Sequence, residues 1–461
     1  MTMLQAITKQ LDPTNLLSES IEMSSFFQEL SLENKEYFNG VRPFSQGGML
    51  DFRLIFNLLL QSRSRSSQTE LFELSLRLGQ DCVSKSAFTQ ARSKIKAALF
   101  ESYYKAQVQK IEENELFQET YEGYRLFAVD GTTLYLPCND ATGGEFGKVR
   151  NQHGPQCLPR CSFLVNLNTG VCLQGLLGKS NTSEHEQIYE HLSLLPKNSI
   201  LILDRLYPCT ALMYTLERLG IRYIIRCKMN WNKAVREVCS QTGEQNQRVK
   251  YRISEKAVTK LKRKAQSTEE RKAITCRSEV DHRIIKIQLD DNQYECLLTN
   301  LTEDWPISTF KKLYHMRWNV ETAIDRLKNV MAIEAVTSDN PEFIRQDFAA
   351  TIARYNTTCV FTKLAQKKYD EFVNDKPKIG RPSSKNYPKK INFSLAAAFI
   401  AIILEQHTAQ AKDLHQTISL AFKTIIRFPE PVREDRHFPR KSKRNRQRGR
   451  HLFWTNFRRT T

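Results

Sequence analysis

The sequence predicts an α/β protein with a mixed-sheet core and helical regions at both ends. Three observations predict it. Residues 120–228 alternate short apolar runs and amphipathic stretches in the order strand, hairpin, helix, strand, helix, strand. Residues 1–115 carry helical periodicity, and the C-terminal third is again mostly helical in pattern. Between them, residues 229–302 hold polar and basic material with two strand patterns. They read as a β-rich insertion that interrupts the core, which resumes over 303–370. Residues 371–461 then form a helical C-terminal region with a basic tail.

Within 1–115, Gln68–Leu78 is amphipathic. A break at Gly79–Val83 follows, and Ser84 is placed to cap a second helix running to about Ala98. Two short helices about a tight turn resemble a helix-turn-helix. The second offers Lys85, Ser86, Thr89, Gln90, Arg92, Ser93 and Lys94, donors of the kind that reach base edges and phosphates. A helical hairpin with a solvated face is the competing reading.

In the core, Leu126–Pro137 reads as a strand carrying Asp130-Gly131-Thr-Thr. Ser162–Leu167 and Val171–Leu177 flank Asn168-Thr-Gly170 as a hairpin. Glu184–Leu195 is a helix. Ser199–Leu203 is an apolar strand ending at Asp204. Cys209–Leu219 is a helix closed by Gly220, and Ile221–Arg226 is a strand. The insertion carries a charged loop around Lys260, Lys262, Arg263 and Lys264, then strands at about 281–289 and 293–300. A helix beginning at Pro306 follows it. Leu395–Leu404, the most apolar run, is too short to span a bilayer and reads as a buried helix.

The chain has 461 residues, and 69 Lys+Arg against 50 Asp+Glu give a formal charge of +19, which favours a polyanionic partner, nucleic acid first. Eleven cysteines without a Cys-x-x-Cys pair point to free thiols in a reducing compartment. Met1–Lys9 has no long apolar core, so a cytoplasmic, nucleoid-associated protein with no membrane partner is expected. His153, Cys157 and Cys161 are evenly spaced, but no fourth ligand stands nearby, so zinc is not expected.

The densest chemistry lies in Tyr314–Lys328. Read as one helix, it brings Tyr314, Arg317, Glu321 and Lys328 within about 60° of one another. Leu313, Val320, Ile324 and Leu327 form the adjoining apolar side. A carboxylate flanked by a phenol and two cations can serve a metal ion and a phosphate together, although most charged helix faces are merely solvated. Asp130 and Asp204 sit within or at the end of strands, where an unpaired carboxylate is costly. Two strand-borne Asp residues plus Glu321 make an all-oxygen donor set suited to Mg²⁺ or Mn²⁺, and two such ions serve in-line phosphoryl chemistry. Asp325 sits one turn beyond Glu321 on nearly the same face and is the alternative third ligand.

The spacing Tyr314-x2-Arg317-x3-Glu321-x6-Lys328 resembles the signature of bacterial insertion-sequence transposases of the type-four family, and Asp130-Gly-Thr and Asp204-Arg205 resemble that family's first and second acidic motifs. The resemblance covers the chain to about residue 365. It implies an RNase H-like catalytic core with Asp130, Asp204 and Glu321 as a DDE triad holding two Mg²⁺ (or Mn²⁺) ions. It also implies a β-rich insertion ahead of the Glu. The implied activity is cut-and-paste transposition: strand cleavage, a hairpin intermediate and strand transfer, by a homodimer on double-stranded DNA carrying terminal inverted repeats. Tyr314, Arg317 and Lys328 would hold phosphates, and Trp231 would stack on a flipped base; Trp318 reads as a packing residue. A nuclease-only or inactive DNA-binding protein of the same fold is the alternative.

Lys376–Lys385, around Gly380-Arg381-Pro382, reads as a basic linker. Arg436–Thr461 holds ten Lys/Arg, no acid and four interleaved aromatics, which suits a nucleic-acid arm. Deleting 436–461 should weaken DNA binding and flatten the dependence of log K on log salt, because fewer counterions are released. An unchanged slope in filter-binding or anisotropy titrations assigns the tail another role.

Overall fold

The computed structural model describes residues 13–40, 44, 50–61, 67–79, 81–152, 154–264, 271–272, 274–275, 279–290, 293–374, 388–408 and 414–432. The Lys376–Lys385 linker, the 436–461 tail and His153 lie outside the described residues.

Eight strands make one mixed sheet: β1 (Arg125–Thr133), β2 (Arg160–Asn166), β3 (Cys172–Gly178), β4 (Ser199–Leu203), β5 (Arg222–Cys227), β6 (Gln245–Arg252), β7 (Glu279–Asp290) and β8 (Gln293–Thr299). Their order is β3-β2-β1-β4-β5-β8-β7-β6. β1, β4 and β5 run parallel and the rest pair antiparallel. The parallel centre is apolar on both faces: every residue of β4 is buried, as expected where helices cover both sides. Gly170, at φ +76°, closes the turn between β2 and β3 in a conformation that favours glycine.

Residues 229–302 do not form a separate sheet. β8 pairs with β5, β7 with β8 and β6 with β7, so the insertion's strands extend the core sheet. The basic segment expected as a loop is in part the helix Glu255–Lys264, with Ala257, Val258 and Leu261 buried.

The first helices and the last share one hydrophobic cluster with the sheet, running from Leu17 to Ile425. The 34-residue helix Pro341–Asn374 is its spine. Asn356 accepts from Cys172 N at 2.9 Å and donates to Cys172 O at 2.9 Å, so one amide satisfies both backbone groups of a residue on edge strand β3. Arg354, also buried, donates to Gln61 O at 2.6 Å and to Met331 O at 2.8 Å. The apolar run expected as a buried helix lies in Phe393–Thr408; Ile400, Ile403 and Leu404 are buried while Ile402 faces out. Among the described residues, no helix is long and apolar enough to cross a membrane.

The helix-turn-helix candidate forms as Ser67–Leu78 and Lys85–Arg92. Ser84 caps the second helix by accepting from Ala87 N at 3.2 Å, and Gln68 Oε1 accepts from Lys85 N at 2.8 Å. The second helix stops at Arg92, and a new one, Ala97–Glu113, begins after a turn. Lys85, Gln90 and Lys94 are exposed. Arg92 is not: it is 2% exposed. It donates to Gln346 (2.6 Å), Thr337 (2.5 Å) and Phe343 O (2.8 Å) and pairs with Asp347 at 3.0 Å. The expectation that Arg92 reaches DNA is therefore corrected. It follows Phe88 and Ala91 onto the buried face and joins the Lys85–Arg92 helix to the spine.

Replacing Arg92 with Ala should destabilise the protein by about 3–5 kcal/mol, because the buried Asp347 loses its guanidinium. Lys85→Ala should change stability by less than about 0.5 kcal/mol. Urea denaturation of the two variants checks the contrast.

Candidate active site

Asp130 lies within β1, opposite Phe163 of β2, so it is a strand residue rather than a turn residue. On the other side β1 runs parallel to β4, with Ala128 level with Ile202. Carrying that register two residues further sets Asp130 level with Asp204, which follows the last residue of β4. Two carboxylates thus arise at the same end of adjacent parallel strands, the end at which open α/β sheets bind ligands. Asp130 Oδ1 accepts from Gly131 N at 2.8 Å, and Asp204 Oδ1 accepts from Leu206 N at 2.8 Å.

The third acid comes from a segment less regular than expected. A helix over Ile307–His315 ends, Met316 and Arg317 make a tight helical step, and a second helix runs over Trp318–Asp325. Arg326–Val330 is one π turn, closed by the Met331 N to Arg326 O bond at 2.9 Å. The single continuous helix is corrected accordingly. Nor is its polar side a solvated face. Tyr314 and Arg317 are each 7% exposed.

Arg317 organises the centre. Its Nη2 donates to Glu321 Oε1 at 2.5 Å, and its Nη1 stands 3.7 Å from Asp130 Oδ2, an ion-pair distance. Burial pushes the Asp130 carboxyl up to about 7. Gly131 N–H and Arg317 oppose that shift, and the charges of Asp204 and Glu321 reinforce it. Asp204 and Glu321 are thus each within electrostatic reach of Asp130. Asp325 is exposed and accepts from Asn329 Nδ2 at 2.6 Å.

Lys328, on the π turn, donates to Thr133 O of β1 at 2.6 Å and pairs with Glu334 at 3.4 Å. The Tyr314 hydroxyl is buried without a hydrogen-bond partner. Burial raises it to about 12, with Glu295 and Asp204 adding to the shift and Arg317 and Arg226 opposing it. Arg226, at the end of β5, is held by the buried Glu295 at 2.7 Å. Sequence reasoning missed Arg226; the signal was a cation within an apolar strand. It also missed Glu184 and Tyr207, whose electrostatic neighbours include Asp204. Trp318 is 46% exposed rather than packed, with the Arg317 guanidinium 5.6 Å from its ring centre. Trp231 is half-buried in the turn after β5 and packs on the core.

The donor set suits a hard divalent cation, being all carboxylate. A half-buried Asp130 with its carboxyl pushed up to about 7 is a group that a cation would stabilise in its charged form. The three acids are not, however, a ready-made cage. Among the described residues, no three such side chains are gathered as ligands for one ion. Glu321 is engaged by Arg317 instead.

The raised Asp130 pKa makes a stability claim. The native state favours the protonated acid, so this group's stabilising contribution is present below the unfolded value of 3.8 and is lost as pH rises to about 7. In metal-free protein, Asp130→Asn should thus be more stable than the parent at pH 8, on the order of 2–4 kcal/mol, with a smaller gain at pH 5. Equal gains at both pH values in thermal denaturation would contradict the assignment.

Residues 121–357, just over half of the chain, match the family model described as "Transposase DDE domain". The match contains Asp130, Asp204 and Glu321. Over 156 residues the chain is 26% identical to "Putative transposase InsZ" of Escherichia coli (strain K12), covering 33% of this chain and 50% of that protein. The chain thus spans about half the length of that curated relative. A solved piggyBac transposase synaptic complex with hairpin DNA aligns over 95% of this chain and 87% of its own, at a TM-score of 0.44 and 11% identity. With more than half of its residues matched by that family model, the chain belongs to the transposase DDE domain family.

Proposed function

We propose that the protein is a DNA transposase that moves an insertion sequence by metal-dependent strand cleavage and strand transfer, with Asp130, Asp204 and Glu321 as its catalytic carboxylates. The observation that carries this is Asp130: a half-buried strand carboxylate beside Asp204 and Glu321, with the Arg317 cation 3.7 Å away. The mixed sheet that sets two acids on adjacent strands supports an RNase H-like core. The charge of +19 supports DNA as the polyanion. Exposed Lys85, Gln90 and Lys94 would contact it outside the site.

Two Mg²⁺ or Mn²⁺ ions, when bound by the three carboxylates, would supply an activated oxygen nucleophile and stabilisation of the leaving oxygen. Arg317 has two partners to choose between. In the free protein it offsets Glu321 and Asp130; facing a DNA phosphate it would exchange a carboxylate for a phosphate, a bidentate acceptor it suits equally well. That exchange frees Glu321 to turn toward Asp130 and Asp204. Tyr314 would donate its unpartnered hydroxyl to the same phosphate, and Lys328 would hold a second phosphate from its anchor on β1. Exposed Trp318, beside Arg317, is better placed than half-buried Trp231 to stack on an unpaired base. Cut-and-paste movement through a hairpin by a paired homodimer is the reaction this reading entails.

Asp130→Asn, Asp204→Asn and Glu321→Gln should each lower cleavage of element-end DNA by at least about a thousandfold while leaving DNA binding within about threefold. Asp325→Asn should cleave like the parent. Normal cleavage by Glu321→Gln with loss in Asp325→Asn would reassign the third acid. Joined donor–target product separates a transposase from a nuclease alone.

A further inference from the structure

A second acid–arginine pair lies against the same stretch of β1. Glu184 opens the helix Glu184–Leu192, whose N-terminus is fixed by a capping box between Ser183 and Glu186. Its side chain rests directly over Gly131. A Cβ on residue 131 would stand 2.5 Å from Glu184 Cδ and 2.8 Å from Oε1, closer than real contacts allow. Arg160 of β2, the register partner of Thr133, holds the carboxylate at 2.9 Å. The buried Tyr207 side chain has Glu184, Asp130 and Asp204 as its charged neighbours. Burial, reinforced by Asp204, raises the Glu184 pKa, with Arg160 opposing.

An ion pair needed only to fasten the helix to β2 has no reason to lean on the residue after Asp130. This placement sets another negative charge in the field of Asp204, which costs stability, and any side chain at position 131 would have to displace it. We propose that Glu184 is a positioning residue for Asp130 and Asp204: seated over Gly131, its carboxylate strengthens that pair's hold on a divalent cation, and Arg160 moderates the effect. The inference rests on the proposal that Asp130 and Asp204 bind the cation.

The test is Mn²⁺ titration of the full-length protein without DNA, read by electron paramagnetic resonance, with melting temperatures measured alongside. Glu184→Gln should weaken Mn²⁺ binding about tenfold, and Arg160→Gln should tighten it about threefold. The opposite signs are the discriminating feature, since a purely structural brace would weaken binding in both variants or change neither. Parent-like binding by Glu184→Gln, or weaker binding by Arg160→Gln, overturns the proposal. Should Glu184→Gln fail to fold, the sign of the Arg160→Gln effect decides alone. Asp130→Asn and Asp204→Asn separate the two levels. If they lose Mn²⁺ while Glu184→Gln keeps it, only this inference falls. If they bind like the parent, or the parent itself shows no saturable binding, the underlying site falls too.

Discussion

The guanidinium of Arg317 between Asp130 and Glu321 is the contact on which the site's architecture depends. Like charges about 6 Å apart repel by about 3 kcal/mol at an effective dielectric near 20, so gathering three acids beside a sheet needs a cation among them. A helix residue supplies it here, from a position 7% exposed. The tight step at Met316–Arg317 places that residue: Arg317 is the N-cap position of Trp318–Asp325, four residues before Glu321, and so reaches its own helix's acid and β1 together. Local chain geometry, burial and charge balance thus converge on one side chain.

The same economy explains the π turn. A widened turn at Arg326–Val330 adds a residue to the helical repeat and carries Lys328 to the carbonyl of Thr133 and to Glu334. Tyr314 and Lys328 therefore have different neighbours, Asp204 and Glu295 for the one, Thr133 and Glu334 for the other, although a regular helix would set them in one row. The residues read as one row in the sequence lie on three separate pieces of backbone.

Much of this was legible beforehand. Ser199–Leu203 ending at Asp204 is an apolar strand by composition and appears with those bounds. The hairpin around Asn168–Gly170 and the Ser84 cap followed from turn and capping chemistry. The sequence offered both Glu321 and Asp325, because one helical turn separates them; in the fold Arg317 engages Glu321, and Asp325 accepts from Asn329. Arg92 is instructive in another way. Phe88, Ala91 and Ile95 are buried on one side of its segment, and the same periodicity assigns Arg92 to that side; its charge argued for DNA while its position argued for the core. β6 was missed because Gln245–Arg252 is mostly polar, and alternate residues alone are partly covered. Glu184 escaped notice because its significance lies in what is absent from Gly131, and a missing Cβ has no signature until its neighbour is in place.

The guanidinium of Arg354 binds the carbonyl at the end of the Phe52–Leu60 helix and, with its other nitrogen, the carbonyl of Met331 just past the π turn. The N-terminal helices and the segment that presents Lys328 are therefore hinged on a shared pin. A shift of those helices would be transmitted through two hydrogen bonds to the backbone that carries Lys328, a mechanical linkage between the N-terminal region and the stretch bonded to β1.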